Sequence, residues 1–182
     1  VNNLANLYVF GDSFSTSAHP DSWTELLRSK YNVFNYSVNG SSEHRIWKNY
    51  QKCKPDGLVL FCHTSPTRIF LKDSTVSKSR ELSSHPKCDI IINDVYSKNE
   101  QKFIKILESI WDDDFFEDTY NLLINDMMKI PKSTHITFFN ISSIKNNYHK
   151  IWELHKGNIN HLSIEGNQLV FNSVASALAN LS

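Results

Sequence analysis

The sequence predicts an α/β fold, a three-layer α/β/α sandwich with a central parallel sheet, and three observations carry it. Apolar runs of strand length occur at residues 4–10, 58–62 and 135–139, segments with apolar residues at helical spacing separate them, and short turns join the two kinds of segment. Parallel neighbours need crossover connections, which are usually helical, so this alternation points to a parallel sheet covered on both faces.

Taken in order, the first run ends in Gly11-Asp12-Ser13, three turn formers that take the chain out of the sheet. Ser22-Trp23-Thr24-Glu25 has the form of a capping box, and Leu26 and Leu27 begin an apolar face, so a helix is expected there. Residues 31–37 alternate as a second short strand. Val38-Asn39-Gly40-Ser41-Ser42 reads as a turn, and Ile46, Trp47 and Tyr50 at helical spacing place a second helix after it. Pro55-Asp56-Gly57 turns the chain into Leu58-Val59-Leu60-Phe61-Cys62, a continuous apolar run of the kind a central strand buried on both faces requires.

Residues 65–96, rich in Ser, Lys and Asp with Pro66 and Pro86 as breakers, read as an excursion from the sheet. Residues 99–128 carry Phe103, Ile104, Leu107, Ile110 and Trp111, then Tyr120, Leu122, Leu123 and Met127, at helical spacing. One long helix or two shorter ones fit, with Asp112-Asp113-Asp114 as the break or the next cap. Residues 135–139 form a fourth strand, 142–152 a mixed loop and helical segment, and 163–181 a closing amphipathic helix. A single domain over residues 1–182 accommodates all of this.

Lys plus Arg and Asp plus Glu balance at 19 each, which removes the basic field that nucleic acid would need and the acidic excess of a disordered tail. Neither Gly-x-Gly-x-x-Gly nor a P-loop sequence occurs, so the usual phosphate cradles are absent. Cys53, Cys62 and Cys88 form no Cys-x-x-Cys pair and are expected to be reduced, partly buried thiols. No metal or cofactor is implied. No apolar run approaches the roughly 20 residues of a membrane-spanning helix, and the start lacks a basic segment leading into an apolar core, so the expectation is a soluble cytoplasmic protein.

Gly11-Asp12-Ser13-Phe14, placed directly after a strand, sets a hydroxyl at the carboxyl edge of the sheet, where open α/β folds build their sites. A serine nucleophile needs a base within hydrogen-bond reach and donors aimed at the developing oxyanion. His161, in Gly157-Asn158-Ile159-Asn160-His161-Leu162-Ser163 just before the last helix, is the natural base. Each residue also has a plainer use, Ser13 as a cap of the next helix and His161 as support for the start of the last one. Read singly, the residues leave both uses open.

Together the two segments resemble the SGNH hydrolase family, also called the GDSL esterases, over essentially the whole chain. The resemblance implies a flavodoxin-like fold, Ser13 as nucleophile in Val9-Phe10-Gly11-Asp12-Ser13-Phe14-Ser15, His161 as base, and the backbone amides of Ser13 and Gly40 as oxyanion donors. It departs from the family pattern twice. Where the family reads Gly-x-Asn-Asp, this chain reads Cys62-His63-Thr64-Ser65-Pro66-Thr67-Arg68, with Thr64 at the asparagine position and its hydroxyl as the implied, shorter donor. Where the family reads Asp-x-x-His, Asn158 stands three residues before His161, and an asparagine bonds the ring without bringing charge. Three outcomes stay open: a dyad oriented by a carbonyl, a triad completed by an acid elsewhere, with Glu153 and Glu165 nearest in sequence, or a site with little hydrolytic activity.

Arg45, Arg68 and His63 flank the inferred cleft and are candidates for substrate binding, the arginines favouring an anionic or polyhydroxylated acyl substrate. The function expected from the resemblance is a serine esterase or deacylase acting on short-chain acyl esters, including O-acetyl groups of carbohydrates. Its partner is then a small-molecule or carbohydrate ester and not nucleic acid. The alternative is a catalytically weakened member that binds a glycan or a protein, such as a phage-type accessory protein.

Overall fold

A computed structural model describes residues 4–17, 19–69, 90–91, 105, 109 and 112–181. Five parallel strands form one sheet in the order β2-β1-β3-β6-β7: β1 Asn6–Phe10, β2 Asn32–Asn35, β3 Leu58–His63, β6 Ser133–Thr137 and β7 Asn146–Asn147. The chain leaves β1 toward one edge to make β2 and returns to the other side of β1 to make β3. The strand order therefore reverses between β1 and β3, and a crevice opens outside their carboxyl ends, the usual ligand position in such sheets.

Alternation along the strands sorts side chains onto two faces. Leu7 and Val9 of β1, Val33 of β2, Leu58, Leu60 and Cys62 of β3 and Ile136 of β6 share one core with Trp23 and Leu27 and with Val170, Val174 and Leu178. Those partners come from α1, Trp23–Leu26, its short 3-10 extension Leu27–Ser29, and α5, Ile164–Ala179. Phe10, Val59 and Phe61 point to the opposite face and pack on Ile46 of α2, Glu43–Cys53, and Met127 of α3, Asp113–Met128. Each of these large side chains contributes roughly 1.5–3 kcal/mol by leaving water. β3 is buried along its whole length, as its unbroken apolar run requires.

Asp112 caps α3, its carboxylate accepting from the Phe115 amide at 2.9 Å, so the acidic triplet opens a helix. Ser163 caps α5 in the same way through the Gly166 amide at 3.1 Å. The capping box expected at Ser22 is not made: Ser22 lies 3.3 Å from the Thr24 hydroxyl and Glu25 turns to Arg28 at 2.7 Å, and α1 passes into its 3-10 extension after four residues. The fourth strand ends at Thr137, so Phe138 and Phe139 lie beyond it, against the rings that line the site. β7 lies within 142–152, α4, His149–Leu154, begins there and runs two residues beyond, and β8, Lys156–Ile159, follows.

Of the excursion, β4, Arg68–Ile69, pairs antiparallel with β5, Ile90–Ile91. Residues 65–67 lead into β4, whereas 70–89, with Cys88, and 92–96 lie outside the described residues, as does most of the segment 99–111. Cys53 and Cys62 are free thiols, and burial pushes the Cys62 thiol well up. Among the described residues, no helix is long and apolar enough to cross a membrane.

Candidate active site

β1 delivers the Gly-Asp-Ser turn to the crevice. A β-carbon on Gly11 would sit 2.7 Å from the Cys62 β-carbon and 3.0 Å from the Cys62 carbonyl, so glycine is what lets the turn press against β3. Asp12 is fully buried and caps a single 3-10 turn, Ser13–Ser15, accepting from the Phe14 amide at 2.9 Å. Ser13 therefore begins a short, fixed turn, half-exposed, while its flanking residues Asp12 and Phe14 are buried.

His161 reaches the same point from the other end of the chain, on a tight reversal between β8 and α5. Leu162 bridges back to Lys156 and Ile159, and the Gly157 amide donates to the His161 carbonyl at 3.3 Å. Asn160 and His161 both adopt left-handed backbone, at φ 48° and 66°, a conformation that asparagine tolerates better than most residues. Asn160 is buried, and its side-chain amide donates to the Thr16 carbonyl at 2.5 Å, tying the reversal to the chain just past the nucleophile turn. Asn167 adds a second tie, accepting from the Trp23 amide at 2.9 Å and donating to the Ile159 carbonyl at 3.1 Å.

These ties bring His161 Nε2 within 3.0 Å of Ser13 Oγ. With the serine hydroxyl donating, Nε2 is the acceptor and the ring proton sits on Nδ1. The imidazole also lies on Phe14, ring centroids 4.5 Å apart. Partial desolvation lowers the His161 pKa, with Arg68 adding to the shift and the nearby Asp12 carboxylate opposing it. The ring is thus neutral, and able to accept a proton, over a wider pH range than a free imidazole.

The loop after β3 departs from its sequence-derived role. The Thr64 hydroxyl donates to Asp12 Oδ2 at 2.9 Å, its amide donates to Glu43 Oε2 at 3.1 Å, and its carbonyl accepts from the Tyr120 hydroxyl at 2.7 Å. The Thr64 proton is directed at a buried carboxylate and away from the crevice. Arg68 is drawn inward as well: its side chain is 7% exposed, and Nη1 lies 3.1 Å from Asp12 Oδ2. The sequence reading places Arg68 beside the cleft as a candidate for substrate binding, and in the structure its charge meets Asp12. Burial raises the Asp12 pKa, against the opposing pull of Arg68, the Phe14 amide and Thr64.

His63 is likewise not a substrate contact. It is fully buried on the α2 face of the sheet, with Nδ1 at 2.7 Å from Glu43 Oε1 and Nε2 at 2.8 Å from His135 Nδ1, and His135 continues to Ser133 Oγ at 2.9 Å. Alternation decides this, because Cys62 already points to the other face. Arg45 stands half-buried in the first turn of α2, its amide donating to Ser42 Oγ at 3.4 Å. Gly40 takes φ 68°, a conformation suited to glycine, in a loop that the Val38 amide ties to the Gly11 carbonyl at 3.0 Å. Asn158 is exposed on β8 and makes no hydrogen bond to His161. Glu153 and Glu165 lie 3.4 Å from His149 and 3.5 Å from His155, on the surface. Among the described residues, no group of three or more His, Cys, Asp or Glu is arranged to hold a metal ion.

No family model and no curated protein matches the sequence. Solved structures similar in shape include the psychrotrophic esterase EstA from Pseudoalteromonas sp., at 13% identity and TM-score 0.49 over 96% of this chain and 97% of that one. Another is a member of the lipolytic G-D-S-L family from Veillonella parvula, at 13% identity and TM-score 0.45 over 97% and 99%. The lipase/acylhydrolase from Enterococcus faecalis follows at 14% identity and TM-score 0.41 over 98% of each chain. These are likenesses of overall course; the chemistry rests on this chain's own residues.

Proposed function

We propose that this chain is a serine ester hydrolase of the SGNH type. The observation that carries the reading is the 3.0 Å contact between Ser13 Oγ and His161 Nε2 at the carboxyl edge of the sheet. In this mechanism Ser13 Oγ attacks the ester carbonyl carbon while His161 Nε2 takes the hydroxyl proton. The amides of Ser13 and Gly40 receive the developing oxyanion. The tetrahedral intermediate collapses, the alkoxide leaves with the proton held by His161, and an acyl ester remains on Ser13. Water then attacks that ester, gives its proton to His161, and releases the acid as Ser13 Oγ recovers the proton.

Among the described residues the imidazolium formed in each half-reaction has no direct carboxylate partner, and Asp12 supports it through space. The site works as a dyad, with a rate below that of a complete triad. The substrate class that the family resemblance suggests is short-chain acyl esters, including O-acetyl groups on carbohydrates. Arg45 is the remaining candidate for holding the alcohol part.

Hydrolysis of p-nitrophenyl acetate by wild type and Ser13→Ala tests the mechanism. Loss of turnover in the variant supports it, and equal rates in both overturn it. The engaged Thr64 hydroxyl and the unbonded Asn158 favour a second reading, in which the fold binds a glycan or protein without turning it over. Labelling of Ser13 by a fluorophosphonate probe excludes that reading.

A further inference from the structure

Arg68 joins the two loops on which the oxyanion amides stand. Its Nη1 donates to the Ser41 carbonyl at 3.2 Å and to Asp12 Oδ2 at 3.1 Å. Ser41 is the residue after Gly40, and Asp12 is the residue before Ser13. We propose that Arg68 is a positioning residue that sets the separation of the Ser13 and Gly40 amides. The inference rests on the esterase reading.

The surroundings of Arg68 fit a spacer better than a stabilising ion pair. Asp12 is held from three sides, by the Phe14 amide, the Thr64 hydroxyl and Arg68, so its carboxylate is a fixed anchor for the guanidinium. The far side is anchored too, since the Ser41 hydroxyl donates to the Val38 carbonyl at 2.8 Å and the Val38 amide donates to the Gly11 carbonyl. The guanidinium lies over the Phe139 ring at 5.9 Å from its centroid, and Phe139 meets Phe14 edge-on at 5.6 Å. One flat cation thus touches the loops after β1 and β2 and the ring that backs the nucleophile turn.

The cost of this arrangement is visible. Arg68 Nε is buried with no hydrogen-bond partner, and a desolvated pair of this kind adds little to stability compared with apolar side chains of similar volume. A fold that needed only to be stable gains little by keeping an arginine here. A fold that must hold two amides at one spacing gains a planar group with two fixed directions, which lysine lacks.

The test compares wild type, Arg68→Met and Arg68→Lys with p-nitrophenyl acetate as substrate, together with the melting temperature and the rate of Ser13 labelling by a fluorophosphonate. Expected are a kcat reduced about 10- to 100-fold in Arg68→Met, KM changed less than about 3-fold, slowed labelling in proportion, and partial recovery in Arg68→Lys. A folded Arg68→Met variant that keeps kcat within about 3-fold of wild type overturns the inference. If Arg68→Met does not fold, Arg68→Lys decides: a kcat equal to wild type overturns the inference, and a reduced kcat at unchanged KM supports it. If wild type neither turns over substrate nor is labelled, the esterase reading itself fails and the spacer role falls with it, an outcome distinct from an active, labelled wild type beside an unimpaired variant.

Discussion

Acid should destabilise this protein through His135 before its carboxylates are protonated. Burial, with His63 Nε2 at 2.8 Å, lowers the His135 pKa to about 3, while the unfolded chain returns it to 6.5. Above pH 6.5 both states are neutral at this ring and the stability it permits is fully present. As pH falls below that value the unfolded chain takes up a proton that the native site refuses, and stability drops by about 1.4 kcal/mol per pH unit until the native ring itself titrates. The whole effect is bounded at about 5 kcal/mol, a large fraction of the stability of a domain this size. The perturbation is His135→Phe, which keeps a flat ring beside Phe61, whose centroid lies 5.2 Å away, and removes the titration.

The variant gives up the links to His63 and Ser133, so at neutral pH it should be less stable than wild type by ~1–3 kcal/mol. Urea unfolding measured at intervals from neutral pH to pH 4 gives the two stability curves. They should converge with acid, because wild type falls faster. Parallel curves, with the same loss per pH unit in both proteins, would show that the buried histidine pair takes no part in acid unfolding and would refute the argument.

The pH profile of kcat/KM should have its acid limb below pH 6.5, since desolvation and Arg68 lower the His161 pKa; a limb above that value would contradict a neutral base held against Phe14. Asn158→Ala should leave kcat within about 3-fold of wild type, because the exposed amide does not bond His161, and a larger loss in steady-state assays would restore it to the mechanism. Gly157→Ala places a β-carbon 2.5 Å from the Leu162 carbonyl oxygen and from the Ser163 amide nitrogen, so the reversal carrying His161 cannot close as it stands. Thermal unfolding should show a loss of at least ~2 kcal/mol together with a falling Ser13 labelling rate, and an unchanged melting temperature would refute the close packing.

The sheet was legible because β1 and β3 announce themselves as apolar runs and the intervening segments repeat at helical spacing. β7 and β8 were not, since Asn146-Asn147 and Lys156-Gly157-Asn158-Ile159 carry neither hydrophobicity nor alternation and pair only because neighbouring strands and Leu162 offer them partners. Ser13, His161 and Gly40 were legible as local patterns. What surrounds them was not: Thr64 read as an oxyanion donor and Arg68 and His63 as substrate-binding candidates, whereas their partners Asp12, Ser41, Glu43 and His135 lie 20 to 72 positions away. Burial by tertiary contacts decides those pairings, and no local pattern encodes it. Asn160 had one usable signal, its tolerance of left-handed backbone just before a histidine, but the tie to Thr16 depends on two chain ends meeting.

That meeting has a kinetic consequence. Ser13 and His161 are 148 positions apart, so their contact closes a very long loop. The entropy of closing a loop of that length is compensated by docking of α5 on α1 and the sheet, so the dyad is expected to assemble late in folding. During refolding, recovered Ser13 labelling should therefore report completion of the whole fold, with helical signal returning earlier, and the lag between the two would measure how long the chain exists as a formed sheet whose nucleophile still lacks its base.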